Sequence, residues 1–521
     1  MTTVSSSSTK STHLFLLAHP GLGHVKPLAV FACKLLIAHR RIRPLNSLII
    51  TLFVVGDLKV QTDKEIELCL QSQNEPLREN FHVISLGGKG SFIGETYQAL
   101  AQNFEPFYNK LHNLSPIECA TGREHTFKQR PNFYIADFFM LYFLNIIRKL
   151  NEQDRKGEIF PILTWNPCVI GPVMRVVGPE ALGGIGNIEA KAKELAERTG
   201  KSLDEAEAEI DHPQNGEIIR IPGLPPMYDY EFFPQETNTP KEIVKIQLTM
   251  HKYAYTMVHE FDGLINASSV AFEPEACHAT KAWYAERNKS CYIVGPLVPD
   301  DMLTDNDNEL GRSVLSTKES EVMKFLDKVY ATSGKQSLLY EKSKITKSHD
   351  RLLVFDEAKF GKMPDHITEK FKTFSDMALT CSWAPQQSVL SHKALGWFLT
   401  HCGQGGCSEG ILKAVPMIAY PLFAEQPGTA AHVSVNLDIA YELLEVRTGL
   451  GLKPLHRGYH PKGTMEALEE EARFILNDAF KGEGGIRKRK NIEELRNRVR
   501  NGVKEDGESS KDLSRFIEEY L

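Results

Sequence analysis

Residues 383–426 read WAPQQSVLSHKALGWFLTHCGQGGCSEGILKAVPMIAYPLFAEQ. Ala394 to Leu399 is an apolar run that ends in Thr400-His401-Cys402-Gly403. Gln404-Gly405-Gly406 follows, then a helical pattern from Ser408 through Lys413. A strand, a glycine-rich turn and a helix N-terminus in that order make an anion site, because unpaired backbone N–H groups and the helix dipole both favour phosphate. A second apolar run, Val415 to Tyr420, predicts a buried strand that ends in Pro421 and delivers Glu425 and Gln426 into a loop. Open α/β sheets bind ligands at the C-terminal ends of adjacent strands.

The spacing is more specific than a glycine-rich turn. Trp383, Gln386, His392, Gly396, His401, Gly403, Glu409, Pro416, Pro421, Glu425 and Gln426 fall in a pattern that resembles the signature box of the family 1 UDP-glycosyltransferases. The resemblance implies that Trp383 stacks on uracil and that the Ala384 backbone bonds the edge of the base. Gln386 and Glu409 are implied to hold the ribose hydroxyls, His401 the diphosphate, and Glu425 with Gln426 the sugar hydroxyls. Plant members carry Trp-Asn-Ser after the His-Cys-Gly; here Gln404-Gly405-Gly406 stands there, and Ala414 replaces a usual Gly. At the phosphate this leaves the backbone donors of Gly403, Gln404, Gly405 and Gly406, together with the Gln404 amide.

At 521 residues the chain exceeds what one core usually supports, so two domains are expected. A net charge of −6 and a pI near 6.3 argue against a nucleic-acid surface. The nine cysteines are scattered with no CxxC, which suits a reducing compartment. Cys402, Cys407, His392 and His401 lie close in sequence, but Cys-x4-Cys is outside the usual zinc spacings and no metal is expected. The polar start MTTVSSSSTKST lacks the charged-then-apolar order of a signal peptide. Leu48–Val55 is too short to span a bilayer; Tyr134–Ile147 is also short and holds Asp137 and Asn145. The expectation is a cytoplasmic monomer with no membrane anchor, no nucleic-acid partner and no cofactor beyond UDP-glucose as donor substrate.

Toward the N-terminus, His13 to Ala18 predicts a buried strand, followed by the turn HPGLGHVKPL and a helix over Pro27–His39. Gly21-Leu22-Gly23 begins like a dinucleotide fingerprint, but Lys26 occupies the third glycine position, which argues against NAD. His24 stands at a helix N-terminus, where the dipole disfavours imidazolium and leaves the ring able to accept a proton. The family carries its catalytic base in the G-H-x-x-P turn after the first strand, so the resemblance makes His24 the general base. Pro131 to Phe139 puts Asp137 at the end of a buried strand. On residue type alone Asp137 is a helix N-cap; the resemblance makes it the partner of the catalytic histidine, fixing its tautomer.

Further expectations concern the surroundings. Ile93–Leu114 is a partly aromatic helix expected to face the acceptor, and Ile221–Phe233 a proline-punctuated loop that could line an apolar pocket or simply pack. Gly183–Gly216 predicts a solvated helical pair inserted over the N-terminal domain. Gly428–Leu444 reads as helical, as do Thr464–Asn477 and Arg487–Val503. Ser337–Tyr340 begins a strand, but Glu341–Asp350 is polar and runs directly into Leu352–Phe355. Parallel neighbours need a crossover of roughly a dozen residues, so one βα unit of the family pattern is missing. The irregular loop expected at 341–350 should leave the second sheet a strand short.

The resulting expectation is an α/β protein with the GT-B fold, in which two Rossmann-like domains with parallel sheets face a cleft. Residues 1–298 form the acceptor-binding domain, 299–313 the linker, 314–490 the UDP-sugar-binding domain, and 491–521 a helix returning to the N-terminal domain. The implied reaction moves glucose, with inversion, from UDP-glucose to a hydroxyl of a small lipophilic acceptor. Two other readings remain open: a catalytically impaired UDP-sugar binder, and a UDP-sugar hydrolase or epimerase in which His24 activates water.

Overall fold

The computed structural model describes residues 10–56, 58–71, 77–85, 95–155, 157–236, 241–304, 317–333, 337–340, 369, 379 and 384–521. Its first sheet has seven parallel strands: β1 (Ser11–Leu17), β2 (Ser47–Val54), β3 (Phe81–Ser85), β4 (Phe133–Asp137), β5 (Ile162–Asn166), β6 (Gly263–Asn266) and β7 (Ser290–Ile293). They lie in the order β7-β6-β5-β4-β1-β2-β3. The winding direction therefore reverses between β1 and β4, and a sheet that reverses opens a crevice at the C-terminal ends of those two strands. Leu17 sits opposite Ala136 in that pair, so the turn after β1 and the end of β4 emerge side by side.

Four parallel strands form the second sheet among the described residues: β8 (Ser337–Tyr340), β9 (Leu395–Thr400), β10 (Met417–Ala419) and β11 (Ala440–Glu442), in sequence order. Both faces of β9 are covered. Trp397 and Leu399 enter one apolar cluster and Leu395 and Phe398 the other, so the strand reads as an unbroken apolar run. The Glu341–Asp350 stretch and the Leu352–Phe355 run lie outside the described residues. So does most of the 299–313 linker, of which Asp300–Leu303 is a 3-10 turn.

Several expectations are corrected. Gly428–Leu444 is not one helix: Gln426–Ala431 is helical, His432–Asn436 is a wide π turn, and after Asp438 at φ 47° the chain enters β11. Tertiary pairing with β10 overrides the local period there. The Glu95–His112 helix does not offer its aromatic side to a ligand from Leu100 onward. Phe104, Phe107 and Tyr108 are buried in the core, where Phe107 stacks on Phe53 at 4.9 Å. The Ile221–Phe233 loop resolves toward packing: Tyr230 Oη donates to Pro454 O at 2.6 Å, and the His456 N–H donates to Glu231 at 2.7 Å, tying the two halves together.

Among the described residues the longest helix is Leu22–Ile42, an apolar segment punctuated by Lys26, Lys34 and the basic residues of its last turn. By length and composition it is apolar enough to cross a bilayer, yet 67 % of that window is buried, mainly against β2, the Leu58–Leu70 helix and the C-terminal helix. It is packed as a core helix. The C-terminal helix, Glu508–Tyr520, returns to the first sheet: Phe516 stacks on Phe133, and Asp512 accepts the Ile293 N–H at 2.7 Å. Helices Ile188–Thr199 and Leu203–Asp211 form the expected inserted pair. Two small apolar clusters and ion pairs from Asp211 to His251 and Glu207 to Lys252 hold it in place.

One buried carboxylate gives this half a pH dependence. Glu273 accepts the N–H groups of Ile170 and Gly171 at 2.7 and 2.8 Å, at the start of the Ile170–Val177 helix. Burial pushes its carboxyl from 4.5 up to about 7, against the pull of the nearby Ser268 hydroxyl and those two N–H donors. A carboxyl raised in the folded state contributes stability that is complete below the unfolded value and is lost as pH rises through the folded one. Melting temperature should therefore carry a component that falls by several degrees between pH 4.5 and 7. Glu273→Gln should flatten that slope in melting curves recorded across the range. An unchanged slope would assign it to other groups.

Candidate active site

β1 ends at Leu17, and Gly21 in an extended conformation starts the Leu22–Ile42 helix, so His24 falls on that helix's first turn rather than ahead of it. β4 ends at Asp137. The His24 Nδ1 lies 2.7 Å from Asp137 Oδ2, with both side chains buried. A carboxylate at that distance assigns the proton of the near ring nitrogen to Nδ1. The second Asp137 oxygen accepts the Phe139 N–H at 3.1 Å, which locks the carboxylate. Met140 is the N-cap of the next helix, Leu141–Asp154, without a side-chain bond, so Asp137 is not its cap. Phe139 and Phe138 pack beside the His24 ring at 5.8 and 6.1 Å, and His19 lies 4.9 Å from it. Burial, with the nearby His24, drives the His19 ring well below its ordinary range, so it is neutral.

Across the cleft, β9 delivers His401. Cys402 takes a left-handed turn at φ 66°, and Gly403 caps the Gln404–Leu412 helix. The helix thus begins four residues earlier than its apolar pattern suggests, which makes Gln404, Gly405 and Gly406 its first turn. The N–H groups of a first turn have no partner within the helix, and these point out of the N-terminus beside His401. Gly403 is required by close approach: a Cβ there would sit 2.5 Å from His401 Nε2.

The remaining expected residues divide. Glu409 is buried and accepts from Gln386 Nε2 at 2.8 Å and Gln387 Nε2 at 2.9 Å. Glu425 is partly exposed at the end of the β10 loop. Burial raises its carboxyl, while its own backbone N–H, His401, His24 and the Gln404 backbone N–H pull it down, so the carboxylate lies within electrostatic reach of both histidines and beside the helix N-terminus. Gln426 is buried, and its Oε1 accepts the N–H groups of Leu422 and Phe423 at 3.0 and 3.4 Å, shaping its own loop. The Gln404 amide does not turn to the helix N-terminus: its Nε2 donates to Ala267 O at 3.4 Å and approaches Ser408 Oγ at 3.3 Å. Its phosphate role is therefore corrected to a bond between the halves. His392 is held by Asp327 at 3.1 Å and takes the Ala394 N–H, so it does not join His401. Ala384 is partly buried against the second core. Trp383 lies outside the described residues.

Two side chains in the site were not singled out. Lys26, read only as a broken glycine position, places its ammonium 3.0 Å from Glu409 and 3.6 Å from Glu65 of the Leu58–Leu70 helix. Cys168, after β5, has its thiol pushed up by burial and by the charges of Glu425 and Asp137, which places it between the two halves of the site. A lysine two residues after His24, on a helix whose first turn faces the cleft, was the available signal for Lys26.

A family model described as UDP-glucuronosyl and UDP-glucosyl transferase matches residues 359–445, beginning beyond the polar stretch at 341–350. The chain is 26 % identical over 504 residues to the UDP-glycosyltransferase eriJ of Hericium erinaceus, covering 91 % of each. It is 23 % identical to UDP-glycosyltransferase 74B1 of Arabidopsis thaliana, covering 97 % of each. Its fold superposes on a UGT transferase from Siraitia grosvenorii in complex with UDP, with a TM-score of 0.62 at 19 % identity over 98 % of this chain and 99 % of that one. A UDP-glucosyltransferase from Polygonum tinctorium capable of glucosylating indoxyl gives a TM-score of 0.63 at 18 % identity, over 98 % and 99 %.

Proposed function

We propose, for a chain that is a UDP-glycosyltransferase of the GT-B fold, that it transfers glucose from UDP-glucose to a hydroxyl of a small lipophilic acceptor with inversion at the anomeric carbon. The observation that carries this reading is the buried His24–Asp137 pair at the crevice of the first sheet, facing His401, Glu425 and the Gln404–Leu412 helix N-terminus. With Nδ1 held by Asp137, the Nε2 of His24 takes the acceptor proton. The acceptor oxygen then bonds to the anomeric carbon as the bond from that carbon to the β-phosphate oxygen breaks. Asp137 stabilises the imidazolium as it forms, and the departing UDP carries the electron pair.

His401 and the first-turn N–H groups meet the diphosphate charge, so no metal is called for. Trp383 and Ala384 take the uracil, Gln386 and Glu409 the ribose, and Glu425 with Gln426 the sugar. The setting we propose is a cytoplasmic monomer. A second reading, a UDP-sugar binder with little turnover, is favoured by one observation: the Gln404 amide bonds Ala267 and leaves the phosphate to backbone donors.

The test is to incubate the chain with UDP-glucose and a panel of phenols, flavonoids and sterols, following UDP release and the anomer formed. A β-glucoside on an acceptor hydroxyl is expected. Binding of UDP-glucose without turnover would support the second reading, and glucose released without acceptor would indicate hydrolysis.

A further inference from the structure

Glu409 is a carboxylate buried in the second half of the molecule, and the neutral amides of Gln386 and Gln387 do not offset its charge. A buried carboxylate stays ionised and oriented only when a cation or several donors compensate its lost hydration. The cation here comes from the other half of the molecule. Lys26 is the fifth residue of the Leu22–Ile42 helix, two residues after His24, and its Nζ donates to Glu409 Oε1 at 3.0 Å. Glu65, also buried, flanks the same ammonium at 3.6 Å. Burial opposes the charged form of Lys26, but Glu409 and Glu65 together hold it above the ordinary lysine range. The bridge joins positions 383 apart in the chain.

We propose that Lys26 is a positioning residue for the ribose of the donor, acting through Glu409 from across the cleft. This rests on the reading of Glu409 and Gln386 as the ribose-holding pair. Lys26 and Gln387 share Oε1 of Glu409 and Gln386 bonds Oε2. A carboxylate accepts about four hydrogen bonds, so the clamped group keeps acceptor capacity for a ribose hydroxyl. The group that sets this orientation sits on the helix turn that carries His24, so the donor's ribose is read fully only when both halves meet. The side chains that Lys26 engages are Glu409 and Glu65, so its influence should be confined to the nucleotide's 2′ and 3′ hydroxyls.

The test is calorimetric binding of UDP and of 2′,3′-dideoxy-UDP to the full chain, its Lys26→Met and Lys26→Arg variants, and Glu409→Gln. Lys26→Met should weaken UDP about 5- to 30-fold, less than a whole charge-assisted contact because Lys26 acts only through Glu409, while changing dideoxy-UDP by less than about twofold. Lys26→Arg should recover most of the loss, and the donor KM should rise in Lys26→Met while kcat at saturating donor changes little. Should Lys26→Met not fold, Lys26→Gln carries the same comparison. Equal losses for both nucleotides would reduce Lys26 to a structural tie, and no loss for either would overturn the role. The wild-type protein's own affinity for UDP checks the donor reading separately: binding neither nucleotide would overturn that reading and this role together.

Discussion

His24→Ala should lower turnover by about 10²–10⁴-fold while leaving UDP affinity within about twofold of wild type. The ring is fixed by a 2.7 Å contact from Nδ1 to Asp137, on a carboxylate whose other oxygen is taken by the Phe139 N–H. Alanine therefore removes the group that accepts the acceptor's proton and touches none of the residues assigned to the nucleotide. Asp137→Asn should act in the same direction and by no more. An amide keeps the shape but offers no charge for the imidazolium, and its N–H₂ face would turn the ring to the wrong tautomer. Initial rates at saturating donor, with UDP titrations on the same preparations, check both. Near-normal turnover in His24→Ala would remove it as the base.

The second large effect is expected at Gly403. Its backbone, at φ −67°, suits any residue, so alanine strains nothing in the chain itself. Its new Cβ would lie 2.5 Å from His401 Nε2 and 3.3 Å from His401 Cδ2, and the imidazole would have to swing away. If His401 meets the diphosphate, Gly403→Ala should weaken UDP by about 10- to 150-fold, the worth of a hydrogen bond to a charged group. Folding stability should fall by about 0.5–1.5 kcal/mol, because alanine is a much poorer N-cap than glycine. Combining it with His401→Ala isolates the cause: in that background the glycine substitution should cost almost nothing further. Additive losses would show that it disturbs the helix N-terminus and not the ring.

Much of this site was legible because its signals are local. The apolar run at 394–399, the Gly-rich turn and the paired glutamate and glutamine at 425–426 occupy one continuous stretch, and a parallel strand covered on both faces leaves such a run in sequence. Asp137 ends a buried strand, and His24 opens the helix that follows the turn after another. Where local pattern misled, tertiary contacts had reset it. Helical period at 428–444 gave way to strand pairing at Ala440–Glu442, and the aromatic face of the Glu95–His112 helix went to the core. An apolar stripe looks the same whether a ligand or a core covers it.

Sequence alone determined that this chain builds parallel α/β sheets, that a histidine opens the helix after the first strand and an aspartate ends a later one, and that a glycine-rich turn precedes a short helix. Each of these rests on residues close in the chain, whose spacing is tied to backbone period. Only the tertiary structure decided that Gln404 bonds Ala267 and that Lys26 completes Glu409. Those contacts depend on how two sheets are brought together over hundreds of residues. No local spacing encodes the distance between side chains that meet only once both halves have folded.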